Sequence, residues 1–144
     1  MPDTIPHLAA EEYHLRRDRA RRKVAQRAIP AHDANALVLP WLALACRAGA
    51  ALPEFAEAIA FLRADTDFGF SESQARALTA DGICPLPHAR AALAAATAAA
   101  LARLEAKPGA DREHAMRRLG ALATHFHAWP EAAATLAPAQ SKAA

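Results

Sequence analysis

The sequence is poor in the residues that build β-sheets, disulfide frameworks and membrane spans. Four Ile and two Val in 144 residues are too few for a sheet rich in β-branched side chains. The two cysteines, Cys46 and Cys84, form no CxxC pair and exclude a disulfide framework. No run of about 18 apolar residues is present, and the opening MPDTIPHLAAEE has no apolar signal segment. We therefore expect a soluble cytoplasmic protein without a membrane partner.

What the chain has in abundance is alanine. Its 43 Ala residues favour helix, and ten Pro and five Gly provide the breaks between helices. The composition predicts an all-α protein, a compact bundle of about five helices with a basic N-terminal helix or arm. We expect three parts: the basic helix or arm over residues 1–30, a helical bundle domain over 31–130 and a frayed tail over 131–144.

Capping residues and apolar spacing predict where the helices lie. The first runs from residue 7 to 28, with Thr4 as a candidate N-cap and Pro30 as its stop. In the very apolar stretch that follows, Asp33 is the expected N-cap and Gly49 the expected stop. Pro40 either kinks one helix or separates a short turn from a helix that begins near Trp41, and we expect the two pieces.

Four more helices are predicted in the same way. Pro53 opens a helix over 53–64, and Ser71 with Gln74 forms a capping box for a helix over 72–81. We expect a loop over 83–87, an Ala-rich helix over 88–106, and a last helix over 111–128 that Asp111 caps. The helices over 53–64 and 72–81 superficially resemble a helix-turn-helix, but their connection is longer than three or four residues, which favours simple antiparallel packing.

The charge is distributed very unevenly along the chain. The net charge is +2, yet residues 16–27 hold seven basic residues and one acidic residue, a net charge of +6. The remainder holds ten basic and fourteen acidic residues, a net charge of −4. The seven basic residues are Arg16, Arg17, Arg19, Arg21, Arg22, Lys23 and Arg27. Guanidinium groups bind phosphates bidentately, and each contact releases counterions, so the segment is a candidate nucleic-acid-binding site.

The basic segment is also consistent with three alternatives to nucleic-acid binding. The first is a solvated helix whose arginines pair with Glu11, Glu12 or the acidic remainder. The second is a helix that docks on an acidic protein surface, and the third is binding to anionic lipid. Tyr13 is the only aromatic residue near the segment, which gives little support to base stacking.

Metal sites and catalytic motifs receive little support. Cys84 and His88 have C-x₃-H spacing, but His125 and His127 would point to opposite sides of a helix, so we predict no metal site. The segment over 65–76 begins like a calcium loop but has Arg76 where a bidentate glutamate is required, which predicts a turn. Phosphate-binding, zinc-protease and hydrolase motifs are absent. We expect no cofactor and no enzymatic activity, although Cys84 lies in a segment that looks exposed.

Two functions remain as hypotheses. The first is a small non-enzymatic accessory or regulatory factor that binds nucleic acid, largely independently of base sequence, through residues 16–27. The alternative is a protein–protein interaction module, an adaptor, inhibitor or subunit of a bacterial or phage assembly. Its aromatic anchors would be Trp41, Trp129, Phe68 and Phe70. The alanine and arginine bias fits a bacterial or phage genome of high GC content.

Overall fold

A computed structural model describes residues 4–130 of the chain, and the elements in that range are all helical. The all-α prediction is confirmed, with six helices where about five were expected. Their bounds are α1 Ile5–Ala25, α2 Ala31–Ala48, α3 Pro53–Arg63, α4 Glu72–Ile83, α5 Leu86–Ala106 and α6 Ala110–Phe126.

The chain divides into two compact units, residues 1–89 and 90–144. Helices α1 to α4 belong to the first unit, α6 belongs to the second, and α5 begins in the first and continues into the second. Within the first unit, α1 packs along α2, and α4 contacts both α2 and α3. Because α1 packs along α2, the prediction of a basic N-terminal arm separate from the other helices is not confirmed. The three-part division predicted from the sequence stays a prediction, and its tail over 131–144 lies outside the described residues.

Helix α2 supplies the centre of the first unit. Trp41 is only 4% exposed, and Leu44 and Cys46 are completely or almost completely buried. The expectation of two pieces separated at Pro40 is wrong, because α2 is one helix with Pro40 inside it. An internal proline costs about 3 kcal/mol, and burying one large apolar side chain returns about 1.5–3 kcal/mol. The large side chains that follow Pro40 therefore offset its cost.

Several helix ends follow local sequence signals. The Ser71 hydroxyl accepts from the Gln74 backbone N–H at 3.1 Å, and the Gln74 side chain accepts from the Ser71 N–H at 2.8 Å, which confirms the capping box. Gly49 ends α2 with a φ of +97°, a left-handed conformation that suits glycine.

Other helix ends are shifted by a few residues from their predicted positions. Helix α1 spans Ile5–Ala25 and not residues 7–28, so it ends before Pro30 can stop it. Asp33 is not an N-cap, because α2 begins at Ala31 after Pro30 and Asp33 lies in its first turn. Asp111 likewise lies inside the first turn of α6, whose N-cap is Gly109. The loop expected over 83–87 is shorter, since α4 continues to residue 83 and α5 begins at residue 86. Proline is tolerated in a first helical turn, which is why Pro87 does not delay α5.

Arginine side chains close the C-terminal ends of three helices. Arg76 Nη1 donates to the carbonyls of Cys46 and Ala50 at 3.0 and 2.9 Å, at the end of α2. At the end of α5, Arg112 Nη1 donates to two further carbonyls, at 2.8 and 3.1 Å. Arg90 donates to the carbonyl of His127, the C-cap of α6, at 2.7 Å. A cation is favourable at a helix C-terminus because the last carbonyls are unpaired and carry partial negative charge.

Candidate nucleic-acid interface on the first helix

The basic segment lies on the C-terminal half of α1 and on the turn that follows it. Thr4 is the N-cap, as predicted, although its side chain makes no capping hydrogen bond, and Pro6 lies in the first turn. The helix ends at residue 25, where the N–H of Ala28 donates to the carbonyl of Lys23 at 2.8 Å. Arg27 occupies the left-handed region with a φ of +58°. Glycine is the usual residue in that conformation, so Arg27 is held there at some cost.

Arg16 is held inside the first unit. Its Nε donates to Oε2 of Glu12 at 2.6 Å, and its guanidinium carbon lies 4.2 Å from the ring centre of Trp41 on α2. Glu12 is only 2% exposed. Arg16 therefore compensates the buried Glu12 carboxylate and links α1 to α2. Little of its charge is left to interact with a binding partner of the protein.

Arg17 is also engaged within the chain. Its guanidinium donates to Asp18 Oδ1 at 3.2 Å and lies 3.8 Å from Glu54 Oε2 on α3. The same Glu54 oxygen accepts a hydrogen bond from the Tyr13 hydroxyl at 3.0 Å. Burial of Tyr13, followed by this hydrogen bond and the negative charge of Glu54, raises the pKa of the Tyr13 hydroxyl. The Tyr13 hydroxyl therefore keeps its proton in the folded protein.

The other five basic residues are exposed, and three of them share one face of α1. Arg19, Arg22 and Lys23 are three and four residues apart, a spacing that places side chains on one side of a helix. Within residues 4–130, none of the three forms an ion pair with a carboxylate. We call these three residues the cationic face. Arg27 follows it after one further turn of the chain.

Arg21 lies on a different side of α1, at a cavity. Helices α1 and α2 and the start of α3 line a cavity of about 400 Å³ that is open to solvent. Arg17, Arg21 and Glu54 are its charged lining residues, and Tyr13 and Asn35 are its uncharged polar ones. The sequence does not predict this cavity, because its walls come from three helices. No spacing within α1 alone reveals that Glu54 and Asn35 face Arg21.

Two phenylalanines are widely exposed, one on α3 and one on the turn after it. Phe61 is 77% exposed and Phe68 is 74% exposed. Phe61 lines an apolar groove between α3 and α4 together with Leu62, Leu78 and Ile83. Phe55 is buried on α3, and Phe61 lies about 120° from it around the helix, a position that indicates exposure. The sequence-based predictions assigned no role to Phe61.

The four aromatic anchors proposed from the sequence have different surroundings. Trp41 is part of the core, and Phe70 is half-buried beside Phe68, with ring centres 5.5 Å apart. Trp129 is half-buried, and its ring nitrogen donates to the Thr124 hydroxyl at 2.9 Å. Only Phe68 of the four is therefore widely exposed.

The cysteines are more buried than the sequence suggested. Cys84, the C-cap of α4, is 6% exposed, so its expected exposure is wrong. Burial raises the pKa of both the Cys46 and the Cys84 thiols, which are free. Over residues 4–130, no three His, Cys, Asp or Glu side chains come together as a metal-binding group.

The segment that begins like a calcium loop forms a turn, as expected. Asp65 Oδ1 accepts the backbone N–H groups of Asp67 and Phe68 at 3.0 and 3.3 Å. This carboxylate stabilises the chain reversal between α3 and α4.

No single helix within residues 4–130 is both long and apolar enough to cross a bilayer. One pair in the same range, α2 and α3 together, has the required length and composition, but the two helices are bent by 49° at their connection.

The candidate interface is the exposed cationic face of α1; Arg16 and Arg17 are engaged within the first unit, and the cavity beside Arg21 lies on a different side of the helix. Against this geometry, comparison with protein-family models, curated proteins and solved structures finds no match for the chain.

Proposed function

We propose that this protein is a small non-enzymatic accessory or regulatory factor that binds nucleic acid through the cationic face of α1. The observation that carries the proposal is the exposure of Arg19, Arg22 and Lys23 on one side of a helix, without a carboxylate partner in the described part of the chain. The proposal includes a cytoplasmic location in a bacterium or in a phage-infected cell.

The spacing of the cationic face suits a phosphate backbone. Residues three and four apart on a helix lie about 5–6 Å from one another, and duplex DNA carries one phosphate charge per about 1.7 Å of its axis. Three side chains and Arg27 can therefore contact neighbouring phosphates at the same time. Such contacts position a protein on a duplex and carry no base information. Binding should accordingly be independent of base sequence and strongly dependent on salt.

The experiment measures affinity for a labelled DNA or RNA duplex by fluorescence anisotropy at several salt concentrations. Four phosphate contacts predict a slope of about −3.6 for log affinity against log salt concentration, and hence a loss of roughly 100-fold between 50 and 200 mM. The triple variant Arg19→Gln, Arg22→Gln, Lys23→Gln should lose about three quarters of that slope. Circular dichroism checks that glutamine, a good helix former, preserves α1.

The matched control removes the same charge elsewhere. Arg103, Lys107 and Arg117 are exposed residues of the second unit, and replacing all three by glutamine changes the net charge by the same amount. The control variant should retain most of the parent slope. Failure of the parent protein to bind either duplex at 50 mM salt, or equal losses in the two triple variants, would refute the proposal.

A second function is favoured by a different observation. The exposure of Phe61 in the α3–α4 groove, together with that of Phe68 on the turn after α3, is typical of a protein–protein interface, where aromatic side chains contribute most of the binding energy. In this alternative the protein is an adaptor, inhibitor or subunit, and an acidic partner contacts its basic helix. Affinity capture with the parent protein and with the variant Phe61→Ser tests it. A partner that is retained by the parent and lost by the variant supports this function, and identical recovery by both proteins contradicts it.

A further inference from the structure

The cavity between α1, α2 and α3 has one charged group that the protein itself does not neutralise. Arg17 is paired with Asp18 and approaches Glu54, and Glu54 also accepts the Tyr13 hydroxyl. Arg21 lines the same cavity and forms no ion pair with a carboxylate in the described residues. The cavity therefore presents one uncompensated guanidinium beside a carboxylate that is already engaged.

The rest of the wall is apolar and made of small side chains. Half of the ten lining residues are alanine or valine, namely Ala20, Val24, Ala31, Ala34 and Val38. These short side chains leave space between α1 and α2 that leucine or phenylalanine would have filled. The volume of about 400 Å³ is within the range of small-molecule sites, about 300–1,000 Å³.

An apolar wall beside one guanidinium without a carboxylate partner selects a particular chemistry. A neutral apolar molecule would leave the Arg21 guanidinium paired with water alone, and an organic cation would be repelled by Arg17 and Arg21. An inorganic anion would satisfy Arg21 but would leave the alanine and valine wall in contact with water. A molecule that has both an apolar body and a terminal carboxylate satisfies both parts of the cavity.

We propose that this cavity binds a small organic anion, a carboxylate on an apolar chain or ring, with the carboxylate on Arg21 and the apolar part against the alanine and valine wall. The Tyr13 hydroxyl remains on Glu54 when the ligand is bound. This site is separate from the cationic face, because Arg19, Arg22 and Lys23 do not line the cavity. It therefore does not depend on the proposed binding of nucleic acid.

The experiment uses octanoate as the probe and the full chain as the receptor, with binding measured by isothermal titration calorimetry. We expect saturable binding of one octanoate per chain and no binding of octylammonium, which has the same apolar chain and the opposite charge. The variant Arg21→Gln should bind octanoate about tenfold more weakly, since it loses a charge-assisted hydrogen bond. Arg19→Gln, which removes the same charge from the other side of α1, should bind like the parent.

A second variant tests the place of the apolar part. Asn35 is exposed and lines the cavity, so Asn35→Trp fills the space from its rim without altering the core, and octanoate binding should be lost. Circular dichroism checks that both variants keep the parent fold. Non-saturable binding, binding of octylammonium as tight as that of octanoate, or unchanged affinity in Arg21→Gln or Asn35→Trp would overturn the proposal.

The same variants separate this proposal from the proposed function. The triple glutamine variant of the cationic face should lose the salt-dependent binding of duplexes and keep octanoate binding. The Asn35→Trp variant should lose octanoate binding and keep the salt-dependent binding of duplexes.

Discussion

Replacing Arg16 by alanine tests how α1 is attached to the first unit. Arg16 Nε donates to a Glu12 carboxylate whose side chain is 3% exposed, and its guanidinium lies 4.2 Å from the ring centre of Trp41. The substitution removes both interactions at once. It also removes the cation that compensates the buried Glu12 carboxylate.

The structure sets the expected size of the effect. A hydrogen bond to a charged group contributes about 1.5–3 kcal/mol, and the Arg16 side chain is only 24% exposed, so solvent screens it weakly. The contact with the Trp41 ring adds about 0.5–1 kcal/mol. We expect Arg16→Ala to lower the free energy of unfolding by about 2–3 kcal/mol. With a urea dependence of about 1–3 kcal/mol per molar, the midpoint should fall by roughly 1 M or more.

Urea unfolding followed by circular dichroism measures this change. Arg19→Ala is the matched control, because Arg19 lies three residues further along the same helix and is exposed. A surface substitution of this kind changes stability by no more than about 0.5 kcal/mol. If Arg16→Ala were as stable as Arg19→Ala, the conclusion that Arg16 links α1 to α2 would be wrong, and Arg16 would belong with the side chains available to a polyanion.

Two further predictions concern the ends of α1 and α4. Arg27→Gly should raise the free energy of unfolding by about 1 kcal/mol, since a left-handed conformation costs a non-glycine residue about 1–2 kcal/mol. The same substitution should weaken duplex binding. A drop in the urea midpoint would contradict the predicted gain in stability. The hydrogen bond and charge of Arg76, together with Arg63, hold the pKa of Glu72 below its ordinary value. Ionised Glu72 therefore stabilises the fold above the unfolded pKa of about 4.3, and this contribution is lost as the pH falls through the lower folded pKa. Urea midpoints of Glu72→Gln should show a smaller loss of stability over that acidic range than those of the parent, and identical pH profiles would refute the role of Glu72.

Local signals in the sequence predicted the boundaries of most helices to within a few residues. The capping box at Ser71 depends on residues three apart, and Gly49 stops α2 through its own backbone conformation. Information of this kind is contained in a short window of sequence. The prediction failed at Pro40, where the burial of Trp41 and Leu44 in the tertiary structure overrides the local preference of proline to end a helix.

The candidate site shows the same division between local and distant information. The sequence identified all seven basic residues but not their different environments. Arg16 is engaged by Trp41 and Arg17 by Glu54, which lie 25 and 37 positions further along the chain. Only the packing of α1 against α2 and α3 separates these two arginines from the exposed ones. The cavity beside Arg21 could not be predicted from the sequence for the same reason, because residues of three helices line it.

The arginine side chains that close three helices restrict which substitutions the chain tolerates. Nη1 of Arg76 and Nη1 of Arg112 each contact two carbonyls, and Arg76 also reaches Glu72 through Nε. A planar guanidinium makes these contacts with a fixed fork of donors, whereas the compact ammonium of lysine does not reproduce that geometry. The chain has only three lysines among its 17 basic residues. Part of this preference is therefore a geometric requirement of the fold, and would be retained in a genome whose codon usage favours lysine.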